Sequence, residues 1–116
     1  MNTKRVRGDQ AAKLRQRKFE RLHGLRLPED ALPGSLALTH RRCGKKTCHC
    51  ATGEGHPVWT LTFMTEGKKH VEWVPEEWVE EVRRRVEEGR AFKQAVMEVW
   101  TANAQLLAME RKQRGR

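Results

Sequence analysis

The stretch CGKKTCHCATGEGHP, Cys43 to Pro57, holds every cysteine of the chain, Cys43, Cys48 and Cys50, together with His49 and His56. Thiolates and imidazoles gathered this closely suit zinc, which takes four Cys or His ligands in a tetrahedron. Cys43, Cys48, Cys50 and His56 supply such a set from a short length of chain. In an extended Cys-x-Cys the two thiols project to one side and the intervening His49 to the other. His56, beyond the flexible TGEG turn, is therefore the better fourth ligand, with His40, His49 and His70 left open as alternatives. The expected cofactor is a structural Zn²⁺.

Other chemistry fits these residues less well. A catalytic cysteine would need one thiol and an orienting acid, no such acid is evident, and Ser35 is the only serine. A redox pair among bases and a metal-free glycine-rich loop remain as competing readings. No paired carboxylates at a buried turn, phosphate loop or nucleophile constellation is evident, so the expectation is a protein that is not an enzyme.

Three thiolates on one Zn²⁺ carry a net charge of minus one. Arg41, Arg42, Lys45 and Lys46 would offset it, and a metal-fixed loop would hold the same side chains ready for phosphate. The formal net charge of +9 is concentrated in that loop and at the ends. Residues 1–26 alone carry nine Lys or Arg, among them Lys13, Arg15, Arg17, Lys18 and Arg21, whereas residues 66–98 are mixed. Basic ends and a basic loop around a near-neutral middle point to nucleic acid as partner, DNA ahead of RNA.

The elements that must position the loop can be read on either side of it. Residues 9–25 predict a weakly amphipathic helix capped by Asp9, with Ala12, Phe19 and Leu22 on one face and Gly24 at its end. LPEDALPGS is a linker. SLALTHR, PVWTLTFM and KKHVEWV have strand-like alternation, the last two joined through the hairpin turn TEGK. Trp59 and Trp73 are expected on the inner face of that hairpin, and Trp78 and Trp100 as packing residues of a helix.

Pro75-Glu76-Glu77 starts that helix, and no proline follows. Unbroken to Lys112 it would be about 57 Å long. Val79, Val82 and Val86 form one apolar stripe. Phe92, Val96, Val99, Asn103 and Leu106 form a second with coiled-coil spacing, flanked by Trp100, and Gly89 lies where the two fall out of phase. No Ser, Thr, Asp or Asn directly follows Gly89 to cap a new helix, so continuity is favoured over a break. The second stripe suggests a homodimer or a larger protein partner, with Asn103 fixing the register. The alternative is that it folds back on its own chain. Arg83, Arg84 and Arg85 lie among glutamates and read as a salt-bridged solvated face.

The fold class is thus α+β: a small antiparallel hairpin or three-stranded sheet carrying a Cys/His loop, a long C-terminal helix and a basic N-terminal helix. The divisions are 1–27 for the basic arm, 28–34 for the linker, 35–75 for the loop and hairpin, and 76–112 for the helix. A chain of 116 residues is one domain's worth, and its 37% apolar content leaves a core in need of metal or association. No run of 18 apolar residues and no apolar signal region occurs, so the expected setting is the cytoplasm, with no membrane partner.

Cys43, Gly44, Cys48, Cys50, Gly53, His56 and Pro57, followed by Gly67-Lys68, Val74-Pro75-Glu76 and a long charged helix, resemble a bacterial domain family of unknown function. The likeness spans about Gly34 to Met109. It departs from that family in its HPVW segment and in having no tyrosine. Many members are encoded beside transposases or other mobile-element genes, so the resemblance implies the layout and a mobile-element setting, and it implies no reaction. The function expected is that of a zinc-stabilised nucleic-acid-binding accessory protein for such machinery. The alternative is a protein-interaction module that works through its long helix.

Overall fold

The computed structural model describes residues 6–53 and 55–115; Glu54, the termini and the side chain of Cys50 lie outside that description. The element order is helix α1 (Asp9–Gly24), strands β1 (Ser35–Arg41), β2 (His56–Thr65) and β3 (Lys68–Val74), and helix α2 (Val79–Arg114), with single 3-10 turns at His49–Ala51 and Glu76–Trp78. It is an α+β arrangement. The described residues form two compact units, one of Glu29–Arg90 and one of the chain up to Pro28 together with Ala91 onward.

In the first unit the three strands form an antiparallel sheet in the order β1-β2-β3. Thr65 pairs with Lys68, so Glu66 and Gly67 alone make the turn, and both have positive φ. That geometry matches the right-handed twist of the strands it joins. Register then fixes the faces, since directly paired residues point to one side. Leu36, Trp59, Leu61, Phe63 and Val74 fall on one face and pack with Leu32 against Val79, Val82 and Val86 of α2. Each large apolar side chain buried there contributes about 1.5–3 kcal/mol. The first stripe of the long helix is therefore core. Trp73 pairs with Thr60 on the opposite face and is 67% exposed, which corrects its expected place beside Trp59. Trp78 is also largely exposed.

Helix α2 passes through Gly89 without a break. Leu32 N donates to Arg85 O at 3.0 Å, and Arg85 Nε donates to Asp30 O at 2.6 Å, which lays the 30–32 segment against the helix. A Cβ on Gly89 would lie 2.6 Å from Leu32 O. Glycine is present because a backbone approaches there. Gly89→Ala should therefore lower stability by about 1–3 kcal/mol through overpacking, although alanine favours helix by about 1 kcal/mol. Chemical denaturation reads the sign, and an unchanged or raised midpoint would show that the segment gives way freely.

Arg83 and Arg84 are salt-bridged as expected, whereas Arg85 bonds the Asp30 carbonyl instead. Arg84 sits between Glu81 and Glu88, and Arg83 lies 3.6 Å from Glu80. The hydrogen bond from Arg84 holds the Glu81 carboxyl below its ordinary range. Arg83 also lies over the Trp59 ring, 5.5 Å from its centroid.

The second unit pairs α1 with the distal part of α2. Val6, Ala11 and Leu106 form its buried centre, with Leu14 and Met109 packed against them. Gln113 and Arg7 bond reciprocally, Gln113 Nε2 donating to Arg7 O at 2.7 Å and Arg7 N to Gln113 Oε1 at 3.0 Å. Gly8 is the N-cap of α1 without a side-chain cap, so Asp9 acts from the first turn through the helix dipole and not as the cap expected of it. The buried face of α1 is also not the expected one: Ala11 is buried while Phe19 is 68% exposed.

Leu106 and Val99, expected at an interface with another chain, are buried within this one, at 0% and 6% exposure. Phe92, Val96 and Asn103 are half-buried. Lys18 Nζ donates to Asn103 Oδ1 at 2.8 Å, so the polar residue expected to set a dimer register holds the chain's own N-terminal helix. Of the expected interface residues, Trp100 alone stays exposed, at 61%.

Candidate metal centre

The loop between β1 and β2 is built from tight turns. Gly44 takes a positive φ of 83°, Cys48 N donates to Lys45 O at 3.2 Å, and Ala51 N donates to Cys48 O at 3.0 Å as the 3-10 turn begins. The chain then re-enters the sheet at His56, the pairing partner of Arg41. Gly55 (φ 91°) makes that closure: a Cβ there would lie 2.7 Å from the Arg41 carbonyl carbon.

These turns bring Cys43, Cys48 and His56 together, each offering a ligand atom within 4.8 Å of the other two. Cys48 Sγ lies 3.2 Å from His56 Nε2. A tetrahedral zinc with Zn–S near 2.3 Å and Zn–N near 2.0 Å would separate such a pair by about 3.5 Å. The donors fit the ion in spacing as well as in kind, because a thiolate and imidazole set favours zinc-like metals over magnesium or calcium. The exposure of Cys43 and the partial burial of the other two leave the group near the surface.

The remaining sequence candidates sort by position. The Cys50 side chain lies outside the described residues. His49 Nδ1 is 4.0 Å from Cys48 Sγ, and its ring meets that of His56 edge-on with centroids 5.5 Å apart. His40 pairs with Pro57, one residue from the Arg41–His56 pair, so it projects from the other face of the sheet. His70 stacks on Phe63 near the hairpin turn. Seven residues of β2 separate Phe63 from His56, about 24 Å at 3.4 Å per residue. Neither His40 nor His70 reaches the group.

Arg41, Arg42, Lys45 and Lys46 are all exposed around it, and Arg42 Nη2 donates to Gly53 O at 3.5 Å across the loop. The helical bases divide differently. Arg15 Nη1 donates to Val6 O at 2.7 Å, Lys18 holds Asn103, and Arg21 pairs with Glu98 at 2.6 Å, so these three serve the helix packing. Lys13 and Arg17 are exposed. Trp73, expected on the inner face of the hairpin, is exposed instead. Counting back from a two-residue turn at Glu66-Gly67 pairs it with Thr60, on the face away from Trp59.

Among the described residues no helix is long and apolar enough to cross a membrane. No curated protein and no solved structure matches the chain. A family model described as a domain of unknown function (DUF6788) matches residues 9–84, about two thirds of the chain, taking in α1, the whole Cys/His loop and sheet, and the opening of α2. Its span reaches further toward the N-terminus than the resemblance seen in the sequence and stops short of the distal part of α2. The chain belongs to the DUF6788 family.

Proposed function

We propose that this is a nucleic-acid-binding accessory protein in which a structural zinc ion, held by Cys43, Cys48 and His56 with a fourth ligand from the same loop, fixes a basic surface. The observation that carries this reading is the convergence of those three donors within a loop that exposes Arg41, Arg42, Lys45 and Lys46. Guanidinium and ammonium groups on a braced loop lose less freedom on meeting phosphate than the same groups on a mobile one. Such contacts give affinity with little sequence preference. The basic ends of the chain add to the attraction, and DNA is the favoured polymer. The bacterial and mobile-element setting belongs to this proposal through the resemblance described above, with a transposase or related enzyme as the machinery served.

Salt dependence tests it directly. With about five phosphates contacted, the logarithm of affinity should fall with log salt at a slope near −4.5, and replacing Arg41, Arg42, Lys45 and Lys46 by Ala should flatten the slope by about 3.6. Salt-insensitive binding, or a variant that binds as the wild type does, would overturn the reading.

A second reading has its own observation. Met97, Trp100 and Leu107 are exposed at helical spacing on α2, which suits a protein partner or a second copy of the chain. Under that reading the four-Ala variant keeps its partner, whereas a Trp100 and Leu107 double replacement loses it.

A further inference from the structure

We propose that the open face of the sheet is a platform for single-stranded nucleic acid, with one base stacked on Trp73 and the backbone running toward the Cys/His loop. This rests on the nucleic-acid reading above and narrows its ligand.

The face is defined by strand register. Arg41 and His56 lie level at the loop end, Thr39 and Val58 come next, then Ala37, Thr60 and Trp73, then Thr62 and Val71, and Met64 with Lys69 at the hairpin end. Trp73 and Val71 are 67% and 45% exposed. Trp73 is the penultimate residue of the edge strand β3, beside the buried Thr60, and an indole exposed on a sheet face is in a position from which aromatic side chains stack on unpaired bases, a contact available to every base and closed to bases held inside a duplex.

Charge complements the shape. Arg41 and Lys69 lie at the two ends of this face, each four residues along the strands from the level of Trp73, about 14 Å. The strands contain one acidic residue, Glu72, and it belongs to the opposite face. Glu76 and Glu77 line a cleft with Trp73 just beyond β3. Their charge turns a phosphate backbone away from that edge and toward β1, where Arg41 leads into Arg42, Lys45 and Lys46. An apolar protein partner would have no use for this distribution, and the cations bracketing one aromatic ring suit a strand a few nucleotides long.

The test is fluorescence anisotropy of a labelled single-stranded oligonucleotide of about 12 nucleotides, within the span such surfaces take, alongside the matching duplex, using the zinc-loaded full chain. The wild type should favour the single strand. Trp73→Ala should weaken single-strand binding about 5- to 150-fold, the worth of one stacked base, with duplex binding changed less than about twofold. Trp73→Phe should restore most of the loss, and Trp100→Ala, at an exposed indole elsewhere, should leave both affinities alone. If Trp73→Ala fails to show a cooperative melt, Val71→Glu carries the test, since an acid beside the indole should weaken single-strand binding more than duplex binding. Equal affinities of wild type and Trp73→Ala for the single strand, or equal losses on single strand and duplex, overturn the platform while leaving the basic-loop reading intact. Wild type that binds neither form overturns both.

Discussion

Chelation of the zinc-loaded protein is expected to release one metal ion per chain and to open residues 42–55 while the three strands stay paired. The reason lies in where the burial is. The apolar centre under the sheet is made by Leu61, Val74, Val79, Val82 and Val86, and none of these belongs to the loop. Residues 41–47 are exposed throughout, and the backbone bonds of the loop are short-range turns at Cys48, Ala51 and Thr52. Ordering each residue costs about 1–2 kcal/mol of backbone entropy. None of the described loop residues belongs to a buried apolar cluster that would offset that, whereas a structural zinc ion would, such sites delivering about 10–16 kcal/mol of apparent binding free energy. Cys48→Ser and His56→Ala should each reproduce the chelated state. Native mass spectrometry reads the stoichiometry and hydrogen exchange reads the loop. A loop equally protected with and without chelator would sink the structural role, and a protein purified without metal that takes up none would sink the site. Because the same loop carries Arg41, Arg42, Lys45 and Lys46, nucleic-acid affinity should fall together with loop protection.

Much of this arrangement is legible in the sequence because it is punctuated. Pro75 and the acids after it announce α2, Gly67 announces the hairpin, and period-two alternation places β1 within its observed bounds. The candidate metal donors are legible because ligands close in sequence need only tight turns to meet. The fourth ligand is less so, since the choice among histidines depends on which face of the sheet each one leaves. Strand register excludes His40 and His70, and register comes from pairing, which a single strand does not display.

Where the expectation failed, the physics allowed more than one answer. Spacing of three and four along Phe92, Val96, Val99, Asn103 and Leu106 marks an apolar helix face, and such a face packs equally well on a helix of another chain or of its own. In this structure the stripe packs on the chain's own helix around Leu106, Val6 and Ala11, accompanied by polar contacts with no sequence signature: Lys18 to Asn103, Arg21 to Glu98, and the reciprocal pair of Arg7 and Gln113. The buried face of α1 was missed for a related reason. It rests on Ala11 and Leu14, while the more apolar Phe19 and Leu22 point to water. In a helix so rich in Lys and Arg, a hydrophobicity pattern has little with which to mark a side.

That second unit is also where one substitution should have its largest effect. Leu106 is completely buried and clusters with Val6 and Ala11, each 1% exposed. Removing three carbons from such a site costs about 2–5 kcal/mol, with the upper end applying where the surroundings cannot collapse into the space. The remaining centre is small, and α1 at 16 residues is close to the length below which an isolated helix is marginal in water. Leu106→Ala should therefore release α1 altogether. Hydrogen exchange should show residues 9–24 losing protection while β1, β2 and β3 keep theirs, because the core beneath the sheet shares no residue with this one. Leu106→Met, which nearly conserves volume, should cost less than about 1.5 kcal/mol and keep the helix docked. If Leu106→Ala leaves residues 9–24 protected, the polar contacts of Lys18 and Arg21 hold the helix without the apolar centre. If it unfolds the sheet as well, the two units form a single cooperative structure whose stability depends on this one leucine.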